Sequence, residues 1–162
     1  MSDIKNFVIE ASPIRRVLAV TIVAVLGILL VYLGATTPAS LPWKGFLLIF
    51  GGIVVWLAER MFTATKSHLV VTEAGVQDSN GEVLAVFDEI KSVSRGTFAL
   101  KPSNGFTLVL KQKKGPSAWR PGLWWRFGSR VGIGGVTSGH QSKPAAQMIE
   151  AMIFERDKTI SR

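Results

Sequence analysis

The apolar residues of this chain are concentrated in two blocks near its N-terminus. Val17 to Ala35 is a run of 19 residues without a charge. As a helix rising about 1.5 Å per residue, it would span roughly 28 Å, close to the thickness of a bilayer's hydrocarbon layer. A second run, Gly45 to Ala58, has 14 uncharged residues. It reaches spanning length when residues 41–43 before it and residues 61 and 62 after it are added. The pattern predicts two membrane-spanning helices.

The five residues 36–40 between these blocks are too few for anything but an antiparallel return, so the predicted spans form a hairpin over residues 17–62. A second run of 14 apolar residues is also compatible with a buried helix of a soluble core. The Arg15–Arg16 pair before the first run superficially resembles a cleaved signal peptide. The apolar run is longer than a signal sequence requires, and a second one follows it directly, which favours the hairpin.

Charge bias predicts the orientation of this hairpin. Lys5, Arg15 and Arg16 precede the first span, and Arg60 and Lys66 follow the second, whereas the connecting region carries only Lys44. Because excess Lys and Arg mark the cytoplasmic side, we expect both termini there. The predicted interface anchors are Arg15, Arg16, Trp43, Lys44, Trp56 and Arg60.

Glycines recur at helical spacing in both spans. Gly27 and Gly34 lie seven residues apart in the first span, as do Gly45 and Gly52 in the second. Each pair falls on one face of its helix, and small residues allow two backbones to approach closely. These four glycines are therefore predicted to line the contact between the helices.

From residue 63 the long apolar blocks give way to short alternating segments, which are typical of β-strands. Asn80-Gly81 and Asn104-Gly105 are strong hairpin signals, since a type I′ turn needs positive φ at both central positions. The last segment begins with Ser142 as the expected N-cap and Pro144 in the first turn, and its apolar stripe at helical spacing predicts a core-packing helix. The seven predicted strands cover 68–72, 75–78, 82–86, 97–101, 106–111, 123–127 and 130–136.

This order of strands and final helix resembles a pleckstrin-homology-like domain, and the whole chain resembles bacterial membrane proteins in which two N-terminal spans precede such a domain. The segments that carry the resemblance are 69–76, 87–93, Gly132-Ile133-Gly134-Gly135 and the final helix. It implies an antiparallel β-barrel of about seven strands capped by a helix, a location in a bacterial inner membrane, and a non-enzymatic binding or scaffolding role. Its divisions would be an N-terminal cytoplasmic segment (1–16), the membrane hairpin (17–62) and a cytoplasmic domain (63–162).

Composition limits the chemistry. The chain has no cysteine and only two histidines, which excludes disulfides, thiol nucleophiles and cysteine–zinc sites and leaves little for other metals. The glycine-rich stretch 132–139 lacks the Gly-Lys-Ser/Thr of a phosphate-binding loop. The turn Glu73-Ala74-Gly75 carries no base, which departs from the phosphoinositide-binding pattern of pleckstrin-homology domains. We therefore expect no catalytic residue, no metal and no cofactor.

Positive charge is the remaining signal, with 19 Lys and Arg against 11 Asp and Glu. Residues 91–143 contain ten Lys and Arg but no Asp or Glu. Within them, the segment 117–127 interleaves three tryptophans with two arginines. Three interpretations stay open: the tryptophans fill a core, the segment contacts lipid or a partner protein, or it binds nucleic acid, which two membrane spans make the least favoured. The candidate contact residues are Lys111, Lys113, Lys114, Trp119, Arg120, Trp124, Trp125, Arg126 and Arg130.

These observations favour a non-enzymatic, membrane-anchored scaffold or accessory protein whose basic β-domain contacts partner proteins or anionic lipid headgroups. Tethering to a membrane raises effective concentration, so weak contacts suffice. One alternative is a structural subunit of a larger inner-membrane complex that binds through the spans. Another is a catalytic domain whose pocket is invisible to sequence periodicity.

Overall fold

A computed structural model describes residues 7–95 and 102–160. Two helices of 24 residues, α1 (Pro13–Thr36) and α2 (Leu41–Ala64), form an antiparallel pair. Each is about 36 Å long at 1.5 Å per residue, and both are long and apolar enough to cross a membrane. Only 11% of the most apolar stretch of α1 and 17% of that of α2 is buried, which is unlike the core helix of a soluble fold. Below, the end of the pair at Pro13 and Ala64 is called its open end.

The helices meet along a seam of small residues. A Cβ added at Gly27 would lie 2.8 Å from the backbone nitrogen of Val55, and one at Gly51 would lie 2.9 Å from that of Val31. Gly34 is packed against Leu47 and Leu48 in the same way.

The predicted glycine contact is therefore correct for α1 and wrong for α2. Gly45 and Gly52 have open space where a side chain would project, because they lie on the outward face of α2. Gly51, together with the buried Val54 and Ala58, occupies the seam instead.

Strands before and after the helix pair combine in the first sheet. Its order is β1-β2-β3-β4, all antiparallel, and its strands are β1 (Phe7–Glu10), β2 (His68–Thr72), β3 (Gly75–Asp78) and β4 (Val83–Val86). Strand β1 was not predicted. It pairs Val8 with Val70, so the segment expected to stand apart from the β-domain forms one edge of its first sheet.

The second sheet has the order β5-β6-β9-β8-β7 and is also antiparallel. Its strands are β5 (Ile90–Ser94), β6 (Phe106–Leu110), β7 (Ala118–Arg120), β8 (Trp124–Phe127) and β9 (Arg130–Ile133). Among the described residues the strands thus form two open sheets, where a closed barrel of seven strands was expected. The strand predicted at 97–101 lies outside the described residues. The turn before β4 has positive φ at Gly81 alone, so it is not the expected type I′ turn.

Helix α3 (Gly139–Ile160) completes the domain. Its predicted stripe faces inward: Ala145, Ala146, Ile149 and Ile153 are buried in one continuous core with side chains from both sheets. The helix begins three residues before Ser142, whose hydroxyl donates to the carbonyl of Ser138, so the expected N-cap at Ser142 is wrong.

Candidate membrane-facing surface

The tryptophan-bearing hairpin β7–β8 lies against the open end of the helix pair. Gly122, in its turn, has φ +80°, and a Cβ there would lie 3.0 Å from Cγ2 of Thr65 and 3.2 Å from Cε of Met61. The absence of a side chain at Gly122 therefore lets the turn fit closely against the end of α2.

The start of α1 is attached to the same end of the β-domain. The backbone N–H of Ser12 donates to the carbonyl of Val136 at 2.9 Å, and Ala11 forms a β-bridge with Thr137. The side chain of Arg15 reaches the carbonyl of Thr137 at 3.5 Å. Contacts at the start of α1 and at the end of α2 therefore determine which end of the second sheet lies next to the spans.

Inward-pointing residues of β8 belong to the core. Trp124 is buried and donates through Nε1 to Oδ2 of Asp78 at 3.0 Å. Arg126 is also buried, and its guanidinium pairs with Glu82 at 2.8 Å and donates to the carbonyls of Val83 and Pro116. The prediction that Trp124 and Arg126 contact lipid or a partner is therefore wrong, because their side chains are used inside the domain.

The alternate residues of β8 point outward. Trp125 lies directly across from Trp119 on β7 and from Gly132 on β9, so these positions share one face of the sheet. A Cβ at Gly132 would come within 2.2 Å of the Trp125 ring, which shows that the indole lies flat over this glycine. Trp119 is 53% exposed.

Phe127 extends this outward face and was not among the predicted contact residues. Its ring lies 5.6 Å from that of Trp125, and it is 54% exposed. It is paired across the β8–β9 ladder with exposed Arg130. The two-residue period of β8 already placed Phe127 on the same face as Trp125 and was the signal that could have found it.

A groove of about 800 Å³ follows this surface. We call it the Trp–Arg groove, and the aromatic and basic residues that line it are Trp119, Arg120, Trp124, Trp125, Phe127 and Arg130. No carboxylate lines it among the described residues, so aromatic rings and positive charge dominate.

A smaller pocket of about 300 Å³ adjoins the groove where the hairpin meets α2. Its wall from α2 includes Trp56, Arg60 and Thr63, and its wall from the β-domain includes Trp119, Arg120 and Pro121. We call it the junction pocket. It brings two predicted membrane anchors, Trp56 and Arg60, together with two predicted contact residues of the β-domain.

The predicted lysines lie elsewhere. Strand β6 begins at Phe106, which pairs with Ile133 on the helix side, and its other end leads into the loop with Lys111, Lys113 and Lys114. Lys114 forms an ion pair with Glu89 at 2.6 Å, whereas Lys111 and Lys113 are exposed. The structure does not bring these three lysines into the groove.

The remaining predicted anchors divide between the two ends of the helix pair. Exposed Trp43 and partly buried Lys44 lie at the connector end. At the open end, Arg16 donates to the carbonyl of Phe62 at 3.2 Å, and its guanidinium lies 4.7 Å from the centre of the Phe62 ring. Arg16 therefore joins α1 to α2, a role that its position in the sequence did not reveal.

Comparison with known proteins gives no relative from which a function could be transferred: no protein-family model, curated protein or solved structure matches this chain.

Proposed function

We propose that this protein is a non-enzymatic, membrane-anchored scaffold or accessory protein whose β-domain contacts anionic lipid headgroups through the Trp–Arg groove. In this proposal α1 and α2 span a bacterial inner membrane and both termini are cytoplasmic. The charge bias supports this orientation, since Arg15, Arg16, Arg60 and Lys66 lie near the open end of the helix pair while the connector end has only Lys44.

One observation carries the proposal: the β7–β8 turn packs against the end of α2. Because Gly122 fits against Met61 and Thr65, exposed Trp119 and its neighbour Arg120 lie where a spanning α2 would leave the bilayer. Tryptophan is favoured at that depth because its ring is apolar while its N–H remains hydrated.

Electrostatics support the same partner. Each basic residue near an anionic leaflet is worth about 1 kcal/mol, so Arg120 and Arg130 would together contribute at most about 2 kcal/mol. Arg130 contributes the smaller part because it pairs with Val109, at the end of β6 that is farther from the spans. A contribution of this size is weak for a free domain. It is sufficient for a domain already confined to the surface by two spans, because confinement makes the contact intramolecular.

The resemblance to pleckstrin-homology-like domains also supports a binding role. Antiparallel sheets and a final helix are common to both. The proposed lipid contact here lies on β7, β8 and β9 and not on the first hairpin, whose turn at residues 73–75 has no basic residue. We regard the domain as a divergent member of that class, with a strand placed before the spans.

Quenching by brominated lipids tests the proposal. The full-length protein with Trp43 and Trp56 replaced by Phe is placed in nanodiscs of zwitterionic lipid, or of zwitterionic lipid mixed with phosphatidylglycerol. Quenching of the outward tryptophans Trp119 and Trp125 should increase with anionic lipid and decrease with added salt. Paired Arg120→Gln and Arg130→Gln substitutions should abolish the increase.

The matched control replaces Lys91 and Lys158 by Gln, which removes the same charge from exposed residues of β5 and α3, two elements that do not line the groove, and should leave quenching unchanged. Quenching independent of lipid charge and salt would overturn the proposal. If instead another protein co-purifies in stoichiometric amount and is lost on groove substitution, the groove contacts a partner protein and not lipid.

A further inference from the structure

The junction pocket combines two arginines from different parts of the chain. Arg60 comes from the last turns of α2 and Arg120 from the end of β7, and both line the same cavity of about 300 Å³. The Arg60 guanidinium lies 5.2 Å from the centre of the Trp56 ring, a cation–π contact that holds it beside the pocket.

Neither arginine is neutralised within the described part of the chain. Arg60 and Arg120 form no ion pair there, and no carboxylate lines the pocket. This differs from Arg126, Arg156 and Lys114, each of which has an acidic partner. Two arginines that line one pocket without an acidic partner fit an anion, and guanidinium groups bind phosphate oxygens in pairs of parallel hydrogen bonds.

An apolar track leads from the pocket along α2. Phe46, Ile49, Phe50, Ile53 and Trp56 are exposed and recur at three- and four-residue spacing, so they form one face that continues to Arg60. Arg60 lies ten positions after Phe50, or about 15 Å along the helix, which equals half of a hydrocarbon layer about 30 Å thick. The open space at Gly52 lies beside this track.

We infer that the junction pocket is a specific site for one anionic phospholipid. Its headgroup phosphate lies between Arg60 and Arg120, and an acyl chain follows the track along α2. Trp56 and Trp119 flank the headgroup at the depth where tryptophan is favoured. A soluble phosphate would meet the same arginines but would leave the apolar track unused.

This inference rests on the proposed membrane orientation and adds a stoichiometric ligand to it. Anchoring by a bound lipid would also stabilise the contact between α2 and the β7–β8 hairpin, because the two arginines come from the two sides of that contact.

Native mass spectrometry of the full-length protein released from nanodiscs tests the site. In equimolar phosphatidylglycerol and phosphatidylcholine, one phosphatidylglycerol should be retained per protein. Arg60→Gln and Arg120→Gln should each reduce its retention about tenfold, as expected for loss of a charge-assisted hydrogen bond. Thermal unfolding of each variant without added phosphatidylglycerol should match the parent protein, which separates lost binding from lost folding.

Lys91→Gln is the matched control, since Lys91 is an exposed base on β5 that lines neither the groove nor the junction pocket, and lipid retention should not change. Equal retention of the two lipids, or full retention in both pocket variants, would overturn the inference. Displacement of the lipid by inorganic phosphate alone would assign the pocket to a soluble anion and would also overturn it.

The two proposals can fail separately. If phosphatidylglycerol is retained while quenching of the groove tryptophans does not respond to lipid charge, the groove proposal fails and the pocket stands. If quenching responds and no lipid is retained, the pocket inference fails.

Discussion

Trp124 Nε1 and Asp78 Oδ2 form a buried hydrogen bond of 3.0 Å that joins the second sheet to the first. The two residues are 1% and 2% exposed. The other carboxylate oxygen of Asp78 accepts from the backbone N–H of Asn80 and from the hydroxyl of Ser79. Asp78 therefore accepts hydrogen bonds both from its own turn and from the Trp124 indole. Trp124 has a structural role, whereas its neighbour Trp125 faces outward.

Replacing Trp124 by Phe should lower the free energy of unfolding by about 1–3 kcal/mol, because Oδ2 of Asp78 would lose its buried donor. The measurement is thermal unfolding of the full-length protein in detergent, followed by near-ultraviolet circular dichroism. Trp119→Phe is the control, since Trp119 is exposed and its substitution should change stability by less than about 0.5 kcal/mol. Equal effects of the two substitutions would contradict this assignment.

Arg126→Gln should destabilise the domain for a related reason. Its guanidinium pairs with Glu82 and donates to the carbonyls of Val83 and Pro116, so β8 is tied to both the β3–β4 turn and the loop before β7. Loss of these charge-assisted bonds should cost about 1.5–3 kcal/mol in a denaturant titration. Arg130→Gln removes an exposed arginine of the same sheet and should leave the midpoint nearly unchanged. A larger loss of stability for Arg130→Gln than for Arg126→Gln would show that Arg126 is not structural.

These two residues show how far the sequence determines the site. The two-residue period of a strand places Trp124 with Arg126 on one face and Trp125 with Phe127 on the other. It does not say which face is covered. That depends on Asp78 and Glu82, which lie more than 40 positions earlier, and a buried arginine looks like a surface base until its partner is known.

Gly51→Val should weaken the helix pair, whereas Gly52→Val should not. A Cβ at Gly51 would already approach the backbone of Val31 to 2.9 Å, so valine must separate the helices, and overpacking of this kind typically costs 1–3 kcal/mol. A Cβ at Gly52 meets nothing within 4 Å. The measurement is the midpoint of thermal unfolding of each variant in nanodiscs, followed by far-ultraviolet circular dichroism. Because Gly51 and Gly52 are neighbours, each variant serves as the control for the other. A lower midpoint for the Gly52 variant would show that the outward face is packed.

Spacing predicted the spans and the strands but not their partners. Seven-residue spacing fits Gly51 and Ala58 as well as Gly45 and Gly52, and only the position of α1 distinguishes the two faces. Strand β1 was missed for a similar reason. Its four residues carry little pattern of their own, and its partner β2 lies beyond both spans, so the pairing is a property of the whole fold.

Gly132→Ala tests the geometry of the outward face. The added methyl group would lie about 2.2 Å from the Trp125 ring, so the indole must rotate away from the strand. Because the atoms nearest to the added methyl group all belong to the Trp125 ring, the backbone pairing of Gly132 with Thr107 should persist while the aromatic surface of the groove changes shape. Fluorotryptophan labelling followed by fluorine NMR should show one resonance, that of Trp125, shifting towards a solvent-exposed position, with the buried Trp124 unaffected. The same substitution should reduce the response of quenching to anionic lipid, because the ring would no longer adjoin Phe127 and Trp119. An unmoved Trp125 resonance would mean that the indole does not lie over Gly132, and it would remove the structural basis of the groove.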